Sequence, residues 1–188
     1  MVTGGPGGGK TTAADLFRRE LGESVVVVPE AATLLFSGGF PRVDAPGAQR
    51  SLQRAIFHVQ RNLEDVQSAR YPDRILLCDR GTVDGAAYWP DAEPDFFAAL
   101  GTSESHELSR YDAVIFFESA AVGGMSIEGG NPERTETNAR AVELDARLRT
   151  FWARHPRFVI VPHDRSFVEK IMRGLTALKE IVGDLRPR

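Results

Sequence analysis

Gly4-Gly5-Pro6-Gly7-Gly8-Gly9-Lys10-Thr11 is the segment that most restricts what this chain can fold into. It fits the pattern G-x-x-x-x-G-K-[ST], and both ends of the pattern match. Glycines let backbone N–H groups converge on anionic oxygens with no side chain in the way. The helix that follows adds its positive N-terminal end. In such a loop the lysine, here Lys10, reaches the β- and γ-phosphates, and the hydroxyl of Thr11 sits on magnesium. Gly4, Gly5, Pro6, Gly7, Gly8, Gly9, Lys10, Thr11 and Thr12 are therefore the expected nucleotide-phosphate contacts, with ATP or GTP and Mg2+ as cofactors. The loop opens an amphipathic stretch at residues 12–21, as a strand–loop–helix unit requires.

The rest of the chain continues that alternation. Short apolar runs at Val25–Val28, Ile75–Cys78, residues 113–117 and Phe158–Val161 read as buried strands. Residues 50–70 carry Leu52, Ile56, Val59, Leu63 and Val66 on one helical stripe, and further helices are expected over about 135–154 and 166–182. Strands alternating with helices predict an α/β fold with a mostly parallel sheet. Residues 119–132 hold four glycines and little periodicity, which predicts a mobile loop. Only Met1, Val2 and Thr3 precede Gly4, so the first strand is clipped; an upstream start of the native chain is the expectation.

Composition narrows the partners. The net charge of −3 argues against nucleic-acid binding, which calls for a basic face. Three of the 23 basic residues are lysines (Lys10, Lys170 and Lys179) and the rest are arginines, so no single arginine is a phosphate clamp by type alone. No apolar run approaches the roughly 18 residues of a membrane span. A glycine loop at the front leaves no room for a secretory signal, and the lone Cys78 in an apolar run needs no oxidising compartment. A cytoplasmic location is expected. A chain of 188 residues is most simply one domain.

In open parallel sheets, ligands gather at the carboxyl ends of the strands. An acidic residue follows each strand run here: Glu30, Asp79, Glu118 and Asp164. Asp79 is the expected partner of Thr11 at magnesium, against the alternative of an ordinary strand-end turn. Arg80 follows it where many motor ATPases carry a second acid, which suits a substrate or phosphate contact better than hydrolysis. Glu30 is placed to accept a proton from a hydroxyl attacking the γ-phosphate, or to cap a helix. Glu118 divides between a site role and a loop role. Arg134 and Arg140 are candidates for stabilising the transferring phosphoryl group, whereas Arg147 and Arg154 read as solvated helix face. Gln53, Phe57 and Gln60 form a second stripe on the helix over 50–70, able to read and stack a planar base or simply to be solvated. His58 and His163 have no metal-ligand companions at sensible spacing.

Taken together these pieces resemble a family of small P-loop ATPase domains. It is typified by the ribosylnicotinamide kinase domain of the bacterial NAD-biosynthesis regulator, with an animal branch of GTP-binding, lipid-associated trafficking proteins. The resemblance runs through the loop from Thr3 to Thr12, Val28-Pro29-Glu30-Ala31-Ala32, the helix bearing Gln60 and Cys78-Asp79-Arg80-Gly81. It continues through Tyr111 to Glu118, Arg134-Thr135-Glu136-Thr137-Asn138-Ala139-Arg140 and Val159-Ile160-Val161-Pro162. It implies the nucleoside- and nucleotide-kinase fold, a five-stranded parallel sheet with helices on both faces and a lid over about 119–140. It also implies that Glu30 and the Asp79-Arg80 pair lie where related deoxynucleoside kinases carry the base and the substrate-side arginine. Arg134 and Arg140 then belong to the lid.

Two activities follow as expectations. One is a kinase moving the γ-phosphate of ATP to a hydroxyl of a nucleoside-like small molecule. The alternative is a regulatory ATP- or GTP-binding module with slow hydrolysis that controls a partner. The guanine-reading Asn-Lys-x-Asp motif of conventional GTPases is absent. Phe36-Ser37-Gly38-Gly39 lies too close to the loop to serve as a transporter signature.

Overall fold

A computed structural model describes residues 1–90, 95–127 and 137–185. Strand β1 (Val2–Thr3) leads through the glycine loop into α1 (Lys10–Leu21) and β2 (Val25–Val28). Helices α2 (Ala31–Ser37) and α3 (Pro46–Arg70) precede β3 (Ile75–Cys78). Then come α4 (Asp84–Tyr88), α5 (Phe96–Ala99), α6 (Glu104–Leu108), β4 (Val114–Phe117), α7 (Asn138–Trp152), β5 (Phe158–Val161) and α8 (Phe167–Leu185). Three helix bounds differ from the periodicity reading, and local chemistry sets two of them. Pro46 opens α3 at its first turn, four residues before the expected start at residue 50. The Thr137 hydroxyl accepts from the Arg140 amide and so starts α7 at Asn138. Helix α8 runs on to Leu185.

All strand pairs are parallel, in two ladders: β1-β4-β5 and β2-β3. The expected single five-stranded sheet is corrected here, and the reason is the length of β1. Its two residues pair fully with β4 (Val2 with Ile115, Thr3 with Phe116). Toward β3 it makes one isolated bridge, Val2 to Asp79, just past the end of that strand. The Asp79 amide donates to the Val28 carbonyl and the Arg80 amide to the Val2 carbonyl, both at 2.9 Å. The two ladders are thus joined at the point where the chain leaves β3.

The β4 strand is buried on both faces, as a parallel strand covered on both sides must be. Ile115 and Phe117 enter one core with Val2, Phe17, Leu77, Leu175 and Leu178, under α1 and α8. Val114 and Phe116 enter another with Val28, Phe57, Cys78, Leu148 and Trp152, under α3, α4 and α7. The Cys78 thiol is buried, and burial foremost pushes its pKa up to about 12.

Helix α3 reverses the expected roles of its two stripes. Leu52 is buried, but Val66 is 53% exposed, whereas Gln53, Phe57, Gln60 and Glu64 are all buried. The polar stripe faces inward because the interior satisfies it. Gln60 Oε1 accepts from the Ala31 amide at 3.2 Å, and Nε2 donates to Glu64 Oε1 at 3.1 Å. Glu64 in turn accepts from the Tyr111 hydroxyl at 2.8 Å and pairs with Arg110 at 3.0 Å. Phe57 stands edge-on to Phe96 in the core. Gln60 and Phe57 are therefore structural, not a base-reading pair.

The loop expected over 119–132 is anchored in its first part. Ser119 is fully buried and caps a single 3-10 turn at Ala120–Gly123, and Ile127 packs on Ala141. Residues 128–136, with Arg134 and the middle of the expected lid, lie outside the described residues.

Candidate functional site

The glycine loop folds tightly between β1 and α1 at the carboxyl ends of β3 and β4. Gly4 (φ 136°), Gly7 (φ 77°) and Gly9 (φ 86°) adopt backbone conformations open mainly to glycine. A Cβ at Gly4 would stand 2.0 Å from the Phe117 carbonyl oxygen, and one at Gly8 2.6 Å from it. The loop is thus pressed against the end of β4, and side chains are excluded by backbone. The Gly5 amide donates to Asp145 Oδ1 at 2.9 Å, and the same oxygen accepts from the Ser119 amide at 2.8 Å. The Ser119 hydroxyl donates to the Pro6 carbonyl. Thr12 lines the cleft just beyond the loop.

Lys10 is buried and its Nζ donates to the Gly5 carbonyl at 2.8 Å, across the mouth of the loop. Burial first, then the nearby Arg80, bring its pKa down to about 7 against the opposing pull of Glu30, Asp79 and Asp84. Bound phosphates would reverse that shift, since an anion favours the ammonium form. The Thr11 hydroxyl donates to Asp79 Oδ2 at 2.9 Å. Asp79 Oδ1 is buried with no hydrogen-bond partner, and burial with the Glu30 charge raises the carboxyl pKa. A buried, unpartnered carboxylate oxygen beside a hydroxyl fits magnesium, which takes few protein oxygens and completes its shell with phosphate and water. No group of three or more His, Cys, Asp or Glu able to hold a metal by itself occurs among the described residues.

Across the cleft Arg80 occupies the left-handed region (φ 71°), rare for a residue other than glycine and costing about 1–3 kcal/mol. Its guanidinium is fixed on two sides. Nε pairs with Glu30 Oε1 at 2.5 Å, and Nη1 with Asp84 Oδ2 at 2.8 Å. Asp84 is itself a hub: Oδ1 accepts from the Thr3 hydroxyl at 2.8 Å and from Trp152 Nε1 at 2.6 Å. One buried carboxylate therefore ties Arg80 to β1 and to α7. Glu30 also accepts from the Thr33 hydroxyl at 2.7 Å. Burial acts to raise its pKa, but Arg80, the Thr33 hydroxyl and Lys10 together hold it below the usual glutamate range. Glu30 is ionised at neutral pH and points its charge at the guanidinium.

Lys10, Thr11, Thr12, Glu30, Arg80 and Arg140 line one cleft of about 710 Å3, within the range of small-molecule sites. Asp79 backs it through Thr11. Past Glu30 the cleft continues between α2, α3 and α4, where Phe36, Leu52, Gln53, Ile56 and Tyr88 form its wall. Arg140, in the first turn of α7, is on the rim and pairs with Glu143 at 2.6 Å. Glu118 is drawn away from the cleft: Oε2 accepts from the His163 amide at 2.8 Å, clipping the end of β4 to the segment after β5. Arg154 pairs with Glu104 on the surface as expected, whereas Arg147 turns in to donate to the Trp89 carbonyl at 3.2 Å. Gln53 remains on the cleft wall.

Asp84 and Asp145 are absent from the sequence reading, although both touch the site's backbone or its arginine. For Asp145 a signal was present: it stands among Ala141, Leu144, Leu148 and Trp152 on the buried side of α7, a carboxylate in an apolar stripe. Asp84 has no such signature, because the partners that bury it come from β1, the turn after β3 and the end of α7.

A glycine loop between strand and helix, a Thr–Asp pair behind it and a parallel sheet with the cleft at its carboxyl ends together define a P-loop nucleotide-binding domain. The chain belongs to the AAA domain family, which matches residues 1–170. No curated protein matches the sequence. No helix among the described residues is long and apolar enough to cross a membrane.

Proposed function

We propose that this chain is one P-loop domain acting as a small-molecule kinase, which transfers the γ-phosphate of ATP to a hydroxyl of a nucleoside-like acceptor. The observation that carries the reading is the Glu30–Arg80 pair, set across a single cleft from Lys10 and Thr11 with further room beyond it. An ATPase needs space for water only. This cleft is also lined by Leu52, Gln53, Ile56 and Tyr88, and its volume of about 710 Å3 suits an organic acceptor beside the nucleotide.

The residues take the following roles. The loop amides and Lys10 hold the phosphates of ATP, or of GTP. Thr11 and Asp79 would hold magnesium, which would supply charge neutralisation on the phosphates. Glu30 accepts the hydrogen bond of the acceptor hydroxyl and directs its oxygen at the γ-phosphorus. The bond from that phosphorus to the leaving oxygen of ADP breaks as the new one forms, and the hydroxyl proton passes to Glu30 or to water. A glutamate held below its usual pKa is a weak base but a firm orienting acceptor, which is what a loose phosphoryl-transfer transition state asks of it. Arg80 screens Glu30 and faces the transferring group, and Arg140 on the rim adds positive charge; Arg134 is proposed for the same part from the sequence alone.

The test is Glu30→Gln. Transfer should fall by about 10²–10⁴-fold, with Mg-ATP affinity unchanged. Full transfer by the glutamine protein would remove Glu30 from the reaction.

A further inference from the structure

Asp145 does not face the cleft, yet one of its oxygens holds the backbone of the phosphate loop. Oδ1 accepts from the amide of Gly5, at the start of the loop, and from the amide of Ser119, just past β4. Ser119 then closes the circuit, since its hydroxyl donates to the carbonyl of Pro6. The side chain is 3% exposed, so both amides are bonded away from water. Bonds from backbone amides to a carboxylate are about twice as strong as neutral ones, and stronger still away from water.

The fit is close enough to explain a residue choice. The three atoms nearest to a Cβ built on Gly5 all belong to Asp145, the first its Oδ1 at 2.5 Å. Gly5 has an ordinary negative φ, so its lack of a side chain answers to Asp145 and not to backbone shape. Asp145 also follows Leu144, which lines the cleft, and lies five residues beyond Arg140 on the same helix. The atom that holds the loop therefore also sets where α7 enters the cleft.

We propose that Asp145 is the positioning residue of the phosphate loop: it presets Gly5 and Pro6 in their anion-receiving shape and fixes α7 to them. The proposal rests on nucleotide binding at the loop and not on the identity of any acceptor. Its failure is thus separate from failure of the kinase reading.

The experiment is a mutant cycle read by calorimetric titration of Mg-ADP, each variant first shown to be folded by circular dichroism. Asp145→Ala and Gly5→Ala each should weaken Kd about tenfold or more. Asp145→Asn keeps one oxygen able to accept both amides, and its Kd should stay within about threefold of the parent protein. In the double variant Gly5→Ala, Asp145→Ala the two losses should not multiply, because removing the carboxylate makes room for the methyl group. A residue that served folding alone would lower Tm and leave the Kd of the folded variants in place. Asp145→Ala within twofold of the parent, an asparagine variant as weak as the alanine one, or losses that multiply would each overturn the proposal. Should Asp145→Ala not fold, Gly5→Ala decides: binding within twofold of the parent overturns it equally.

Discussion

At the scale of single residues, the site is built from buried charges that hold one another. Arg80 is the clearest case, since its left-handed backbone persists only because Glu30 and Asp84 grip the guanidinium from two sides. Lys170 is a buried charge of another kind. It is 3% exposed, its Nζ donates to the Glu118 carbonyl, and burial brings its pKa down to about 8 against the pull of Asp145 and Glu118. An unfolded lysine keeps its proton to about pH 10.5. Between those values the unfolded chain binds more protons than the folded one, so this residue's contribution to stability rises with pH across the window. Below pH 8 both states are charged and the contribution is flat at its least favourable. The stability of the parent protein relative to Lys170→Met should therefore improve from pH 8 to 10.5, measured by urea melts at matched pH. A difference that stays level or falls over that range contradicts the assignment.

At the scale of elements, the strands were legible and the polar interior was not. Val25–Val28, Ile75–Cys78 and Phe158–Val161 are apolar runs bounded by turns, and each is a strand over those residues. The α3 helix shows what periodicity misses. Apolar spacing marks the Leu52–Ile56–Val59 stripe as core, but burial goes to the side on which Gln60 and Glu64 find partners from α2, the turn after β3 and Tyr111. Those partners lie tens of residues away in sequence, and no local pattern announces them. The motif residues Lys10, Thr11, Glu30, Asp79 and Arg80 were legible because they sit at strand ends, where the fold brings them together. Asp84, which holds Arg80, was not, and the one sign of Asp145 was its place as a carboxylate in the apolar stripe of α7. If Gln60 is structural, Gln60→Ala leaves the Ala31 amide buried without an acceptor. Stability should drop by about 1–3 kcal/mol in denaturant melts, with the preference among nucleotides unchanged. A changed base preference at undiminished stability would return Gln60 to the recognition role.

At the scale of the whole molecule, the cleft lies where the two ladders meet. The short β1 bonds fully to β4 and is bridged to the chain leaving β3 at Asp79 and Arg80, so the turn carrying those two residues doubles as the seam between ladders. Asp84 reaches across that seam to Thr3 and Trp152. Chemistry and architecture therefore share the same few residues. The central claim is that this cleft joins a nucleotide to an organic acceptor. The most direct test is ADP release from Mg-ATP, alone and against a panel of nucleosides and nucleotides, with Lys10→Ala as the control. Acceleration by one acceptor class, lost in Lys10→Ala, is the predicted result. A flat response across the panel, with nucleotide still raising the melting temperature as ligand linkage requires, would contradict transfer and leave a nucleotide-controlled module in its place.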